Sequence, residues 1–187
     1  MSNTIQNPTP EFIRQYLSEN STEEFFGAES ALGKLFKMFP SNKNFDEVLL
    51  KVTCLNDLYQ TNVYATYRLA KNIHGMNIDS RLKKGDLSLV TDIEKNGLGN
   101  RRVYSFATKY CSWHNQDAYP IYDKYAANLL HYYLKSVTAN RATKKSLLNY
   151  PDYVSGILAL KEHYRLKKIS IKKLDKFLWL YGKQSFP

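Results

Sequence analysis

Along most of this chain the apolar residues recur three or four positions apart, the spacing of one helix face. No long segment alternates as a half-buried strand does. Val48, Leu49, Val52, Leu55 and Leu58 form one stripe behind Asn44-Phe45-Asp46. Val63, Tyr67, Leu69, Ala70 and Ile73 form a second, beginning near Thr61 and stopped by Gly75. Thr9-Pro10-Glu11 opens a first helix over Glu11–Leu17. Ser21-Thr22-Glu23-Glu24 has the capping-box pattern and leads into a helix through Leu35. Further helices are expected over Asp86–Ile93, Val103–Trp113, Pro120–Lys135 and Asp152–Tyr164, and a last one from the Ser170 cap to Gly182. Asn96–Asn100 reads as a turn-rich link. The pattern predicts an all-α protein of roughly eight helices in two lobes, with short loops and no internal repeat.

At 187 residues the chain is long enough for one domain or two small lobes sharing a core. A 43% hydrophobic and 24% charged composition belongs to an ordinary globular protein. Aromatic residues reach 14%, enough to fill a core or to give faces on which a flat ligand stacks. Cys54 and Cys111 are too few for a disulfide framework, a four-cysteine zinc site or an iron–sulfur cluster. No apolar run approaches the roughly 20 residues of a membrane span. Met1–Pro10 is polar and lacks a secretory pattern, so a cytoplasmic location is the expectation.

The charge is unevenly placed. Residues 1–123 hold 14 Lys and Arg against 14 Asp and Glu, whereas residues 124–187 hold 13 against 3. The whole formal net charge of +10 therefore comes from the last third of the chain. Such a surface suits a polyanion, because contacts to a nucleic-acid backbone come largely from Lys and Arg. Lys167, Lys168, Lys172 and Lys173 are the expected backbone contacts. A merely solvated basic surface is the plainer alternative.

The stretch joining the neutral and basic parts carries the chemistry. Lys109 lies in a helix among Phe106, Ala107, Tyr110 and Trp113, where burial disfavours an ammonium. A neutral amine there is a nucleophile able to form a Schiff base. Trp113 is at i+4 and shares its face. Pro120-Ile121-Tyr122-Asp123 then leads into a helix start, where the Asp123 carboxylate can accept backbone N–H bonds and stay ionised. An ordinary solvated lysine and an ordinary cap are the alternatives.

Ala107-Thr108-Lys109 followed by Tyr119-Pro120-Ile121-Tyr122-Asp123 resembles the active-site block of the helix-hairpin-helix DNA glycosylases, most of all the 8-oxoguanine glycosylase branch. The resemblance spans roughly Lys51–Leu134, and Asp175–Lys183 is similar to the closing helix of small members. It implies a two-lobed glycosylase-like fold in one compact unit over 1–187, with N-terminal helices over 1–50, a helix-hairpin-helix-like region over 51–135 and basic helices over 136–187. It further implies that Lys109 attacks the sugar anomeric carbon beside Asp123, giving glycosylase and abasic-site lyase activity. The implied partner is duplex DNA carrying a damaged or modified base, and an oxidised purine such as 8-oxoguanine is the family's commonest target. A monomer without cofactor, metal or membrane partner is expected.

An enzyme acting on a base must extrude it and hold it between aromatic or apolar faces. Trp113 and Trp179 are the candidates for those faces, with core packing the alternative for both. Asn56, Tyr59 and Thr61, at a junction of two helices, are further candidates to face the base, and His114 could touch base or phosphate. His74, His114, His131 and His163 form no ligand pattern, and no P-loop, nucleophile elbow or dinucleotide fingerprint occurs. Two other readings stand beside the enzyme: a non-catalytic DNA- or RNA-binding helical module, and a helical interaction protein whose charge only keeps it in solution.

Overall fold

The computed structural model describes residues 5–20, 23–96, 102–137 and 143–187. Among these residues there is no strand, and the protein is all-α. The helices are α1 (Pro10–Asn20), α2 (Glu23–Met38), α3 (Phe45–Leu58), α4 (Thr66–Gly75), α5 (Asp79–Lys84), α6 (Ser88–Asn96), α7 (Tyr104–His114), α8 (Lys124–Leu134), α9 (Tyr150–His163) and α10 (Ile171–Ser185), with a 3₁₀ turn at Ser146–Leu148. The described residues thus hold ten α-helices where roughly eight were expected. The unforeseen one is α5, whose six residues bury a single side chain, Leu82, and so offer no periodic stripe to read.

Caps explain several boundaries. Asn44 Oδ1 accepts from the N–H groups of Asp46 and Glu47 at 2.9 and 3.4 Å and starts α3. Asn149 caps α9 through the Asp152 N–H, and Ser170 caps α10 through the Lys173 N–H. Two starts fall later than the sequence suggests. Helix α4 begins at Thr66 because residues 59–65 make a turn with Gln60 and Asn62 at positive φ, 47° and 57°. Helix α8 begins at Lys124 because Asp123, in extended conformation, is its cap. Ser21 and Thr22 of the capping box, and residues 97–100 of the Asn96–Asn100 link, lie outside the described residues.

The chain divides into two compact units, one of residues 22–119 and one of residues 1–21 with 120–187. The expected borders at 50/51 and 135/136 do not coincide with this division. In the unit of 22–119, α3 packs on α4, α6 on α7, and α7 also meets α2, α3 and α5. Helix α7 is its axis: every residue but Ser105 and His114 is buried. That burial on all sides removes the polar face by which an amphipathic helix would be recognised. Leu32, Phe36, Val52, Leu55, Ile73, Ile93, Phe106 and Tyr110 form the core around it.

In the other unit α8 packs against α10 and α9, and α1 against α10. Leu129, Leu130, Tyr133, Tyr150, Tyr153, Ile157, Leu174, Phe177 and Leu178 are its core. Gly182 does not end α10, as expected, but lets it approach α8: a Cβ there would lie 2.4 Å from the Tyr125 carbonyl oxygen. The helix continues to Ser185.

Candidate active site

Lys109 lies in the middle of α7, within the helix expected for it. It is only 4% exposed. Its Nζ donates to Ser105 Oγ at 2.6 Å, one turn earlier on the same face. The same nitrogen lies 5.4 Å from the centre of the Tyr59 ring, within range of a cation–π attraction. Trp113 Nε1 donates to the Tyr59 hydroxyl at 3.3 Å, so Lys109, Ser105, Trp113 and Tyr59 form one constellation. The Trp113 ring is 9% exposed and stacks on Phe36 with centroids 5.8 Å apart.

The turn that carries Tyr59 is held by Asn56. Its Oδ1 accepts from the Val63 N–H at 2.8 Å and from Thr61 Oγ1 at 2.7 Å, and its Nδ2 donates to the Val63 carbonyl at 3.2 Å. Asn56 and Thr61, expected to face a base, are thus engaged in the turn. Those bonds also offset the cost of the two left-handed residues between them.

His114 belongs to a separate polar cluster. Its ring sits against Phe36 and Tyr110, and Nε2 is 3.5 Å from Lys51 Nζ. Burial, then the Lys51 charge, pushes His114 down to about 3, so it is a neutral imidazole at ordinary pH. Lys51 is fully buried, and its Nζ donates hydrogen bonds to the carbonyls of Phe39 and Ser41 and to Asn42 Oδ1 at 3.1, 2.7 and 3.0 Å. Burial lowers it to about 8, partly offset by Asp79 and Glu47. Asn42 Oδ1 also accepts from the Tyr110 hydroxyl at 2.6 Å, while its Nδ2 donates to Asp79 at 2.6 Å. Sequence reasoning misses this cluster, although Lys51 lies on the stripe of Val48, Val52 and Leu55 and so carries a signal. It misses Ser105 too, despite the legible i−4 spacing from Lys109.

Asp123 lies in the other unit. Its Oδ1 accepts from the Tyr125 N–H at 2.8 Å, the cap expected of it. The preceding segment is clamped by side chains of α9 and α10. Tyr150 donates to the Pro120 carbonyl at 2.9 Å and Tyr153 to the Ile121 carbonyl at 2.8 Å, while Asp175 Oδ2 accepts from the Ile121 N–H at 2.9 Å. Trp179 is half-buried on α10, with the Lys183 ammonium 5.7 Å from its ring centre. Lys167, Lys168 and Lys173 are exposed and Lys172 half-exposed, around the start of α10.

Among the described residues no group of three or more His, Cys, Asp or Glu is arranged to hold a metal ion. Cys54 and Cys111 are free thiols, and burial raises the Cys111 thiol far above its usual range. No helix among the described residues is long and apolar enough to cross a membrane.

The HI_0787_N family, described as an N-terminal domain, matches residues 12–118 of this chain. The chain belongs to that family. A Haemophilus influenzae (strain Rd) protein described as uncharacterized is 37% identical over 145 residues, covering 76% of this chain and 69% of its own length. No solved structure matches. The family region takes in the whole of α2–α7, with the Lys109 constellation and the Lys51 cluster. It stops before Asp123, Trp179 and the basic helices.

Proposed function

We propose that this protein is a base-excision DNA glycosylase with lysine-dependent abasic-site lyase activity. The observation that carries the reading is the buried Lys109 amine, held by Ser105 beside the Tyr59 ring, with Trp113 hydrogen-bonded to the same tyrosine. A lysine kept from water in this way suits nucleophilic work better than solubility. The contact of α6 with α7 and the Asp123 cap after a proline-led segment are in keeping with the glycosylase resemblance.

In this reading the Lys109 amine attacks C1′ of an extruded nucleotide. The C1′–N bond to the base breaks, and its electron pair leaves with the base, which takes up a proton. The attached nitrogen then gives up a proton, and its lone pair forms C1′=N as the C1′–O4′ bond opens. That bond's electron pair stays on O4′, which takes up a proton and becomes the hydroxyl of the ring-opened Schiff base. Asp123, as an anion, stabilises the positive charge that develops on the sugar. Lys167, Lys168, Lys172 and Lys173 contact the phosphate backbone. The excised base is a damaged or modified one, with 8-oxoguanine first among those to try, and the protein works as a cytoplasmic monomer without cofactor.

Sodium borohydride trapping on a panel of lesion-bearing duplexes tests this. A covalent adduct at Lys109 is expected, because hydride reduces only an imine to a stable amine. No adduct and no released base on any lesion would sink the enzyme reading. The exposed lysines around α10 favour one alternative, a non-catalytic DNA- or RNA-binding module. Salt-dependent binding to undamaged duplex without base release would support it.

A further inference from the structure

Two of the neighbours of the Lys109 amine differ in character. The Tyr59 ring face, 5.4 Å from Nζ, attracts the ammonium by its quadrupole and loses that attraction when the nitrogen becomes neutral. The Ser105 hydroxyl, 2.6 Å away, does not lose its hold. A hydroxyl has two lone pairs and one proton, so it accepts from an ammonium and donates to an amine. Ser105 and Lys109 are one turn apart on the most buried helix of their unit, so helix geometry rather than a mobile loop sets their separation.

We propose that Ser105 is the positioning residue of the lysine site, its hydroxyl keeping the Lys109 amine aimed while that amine changes protonation state. This rests on the lysine chemistry proposed above. The hydroxyl need not touch the substrate: it helps to limit the rotamers of a long side chain.

The test is borohydride trapping of the purified full-length protein on an abasic-site duplex. Ser105→Ala should slow trapping about tenfold, the loss expected for one hydrogen bond to a charged group, with duplex affinity within about twofold. The ammonium also loses an acceptor, so the pH of half-maximal trapping should fall by about half a unit or more. Ser105→Thr keeps the hydroxyl and should restore both the rate and the pH midpoint. Ser105→Cys, close in size, takes the place of alanine if circular dichroism shows that variant unfolded. Trapping by Ser105→Ala at the wild-type rate and pH midpoint would overturn the proposal.

A second measurement works without DNA. Reductive methylation with formaldehyde and borohydride, mapped by peptide mass, gives the pH at which Lys109 becomes reactive relative to exposed Lys124 and Lys173. If wild type traps no duplex, the enzyme reading fails, and Ser105 is then judged by this midpoint alone. A midpoint for Lys109 that Ser105→Ala lowers supports its role, and one left unmoved overturns it.

Discussion

Replacing Lys109 with glutamine removes the proposed nucleophile while leaving a polar, uncharged side chain. Lys109→Gln should keep fold and lesion binding and abolish both strand cleavage and the borohydride adduct, as read on sequencing gels and by mass. Asp123→Asn keeps an oxygen to accept from the Tyr125 N–H but loses the charge. It should lower excision by orders of magnitude with binding within a few-fold, measured in single-turnover assays. His114 answers to pH. Folded, it stays neutral down to about 3, whereas in the unfolded chain it takes a proton near 6.5. Between these values only the unfolded state binds the proton, so stability rises with pH and is lost as pH falls from 6.5 toward 3. Urea denaturation should show wild type losing about 2 kcal/mol more than His114→Gln between pH 6.5 and 4.5. Lys51, lowered to about 8, acts with the same sign in a higher window, from 8 to about 10.

Helix pairs decide how these side chains are held. Helix α10 lies so close to the start of α8 that a Cβ on Gly182 would meet the Tyr125 carbonyl oxygen at 2.4 Å and its carbon at 2.8 Å. That carbonyl belongs to the residue whose N–H Asp123 caps. Gly182→Ala must therefore move backbone, which costs about 1–3 kcal/mol, and should lower Tm by several degrees. Gly75→Ala is the matched control, since nothing stands within 4 Å of a Cβ there. It should leave Tm unchanged or slightly raised, as alanine is the better helix former. Equal losses in the two variants, by thermal denaturation, would count against close approach as the reason for Gly182.

Over the whole chain the dominant electrostatic fact is the excess of Lys and Arg in residues 124–187, 13 against 3 acidic residues. All of these residues fall in one unit. Lys167, Lys168 and Lys173 stand exposed to solvent there, and Lys172 is half-exposed beside them. Reversing Lys167, Lys168, Lys172 and Lys173 to Glu should weaken DNA binding across all sequences and flatten its salt dependence, by about 0.9 in log–log slope for each phosphate no longer neutralised. Preference for a lesion over undamaged duplex should be unchanged. Fluorescence anisotropy at several salt concentrations measures both, and unaltered affinity at low salt would remove this surface from the interface.

The helical class was legible because apolar spacing and caps are local: Ser170 was readable as a cap, and the stripe of Val48, Val52 and Leu55 is buried. Lys109 and Trp113 could be put on one face because four residues make about one turn. Other assignments depended on contacts distant in sequence. Tyr59 reaches Lys109 and Trp113 across about 50 residues, and Asn42 meets Tyr110 at a separation of 68. No local rule gives such pairs, because they are fixed by how helices pack. The same holds for Gly182, which reads as a stop until the carbonyl of Tyr125 is found against it. Asn56 and Thr61 read as free polar groups until the turn they close is seen. Lys51 sits on an apolar stripe, a position local rules score as an error. Only the fold supplies the three acceptors that make burying its ammonium tolerable.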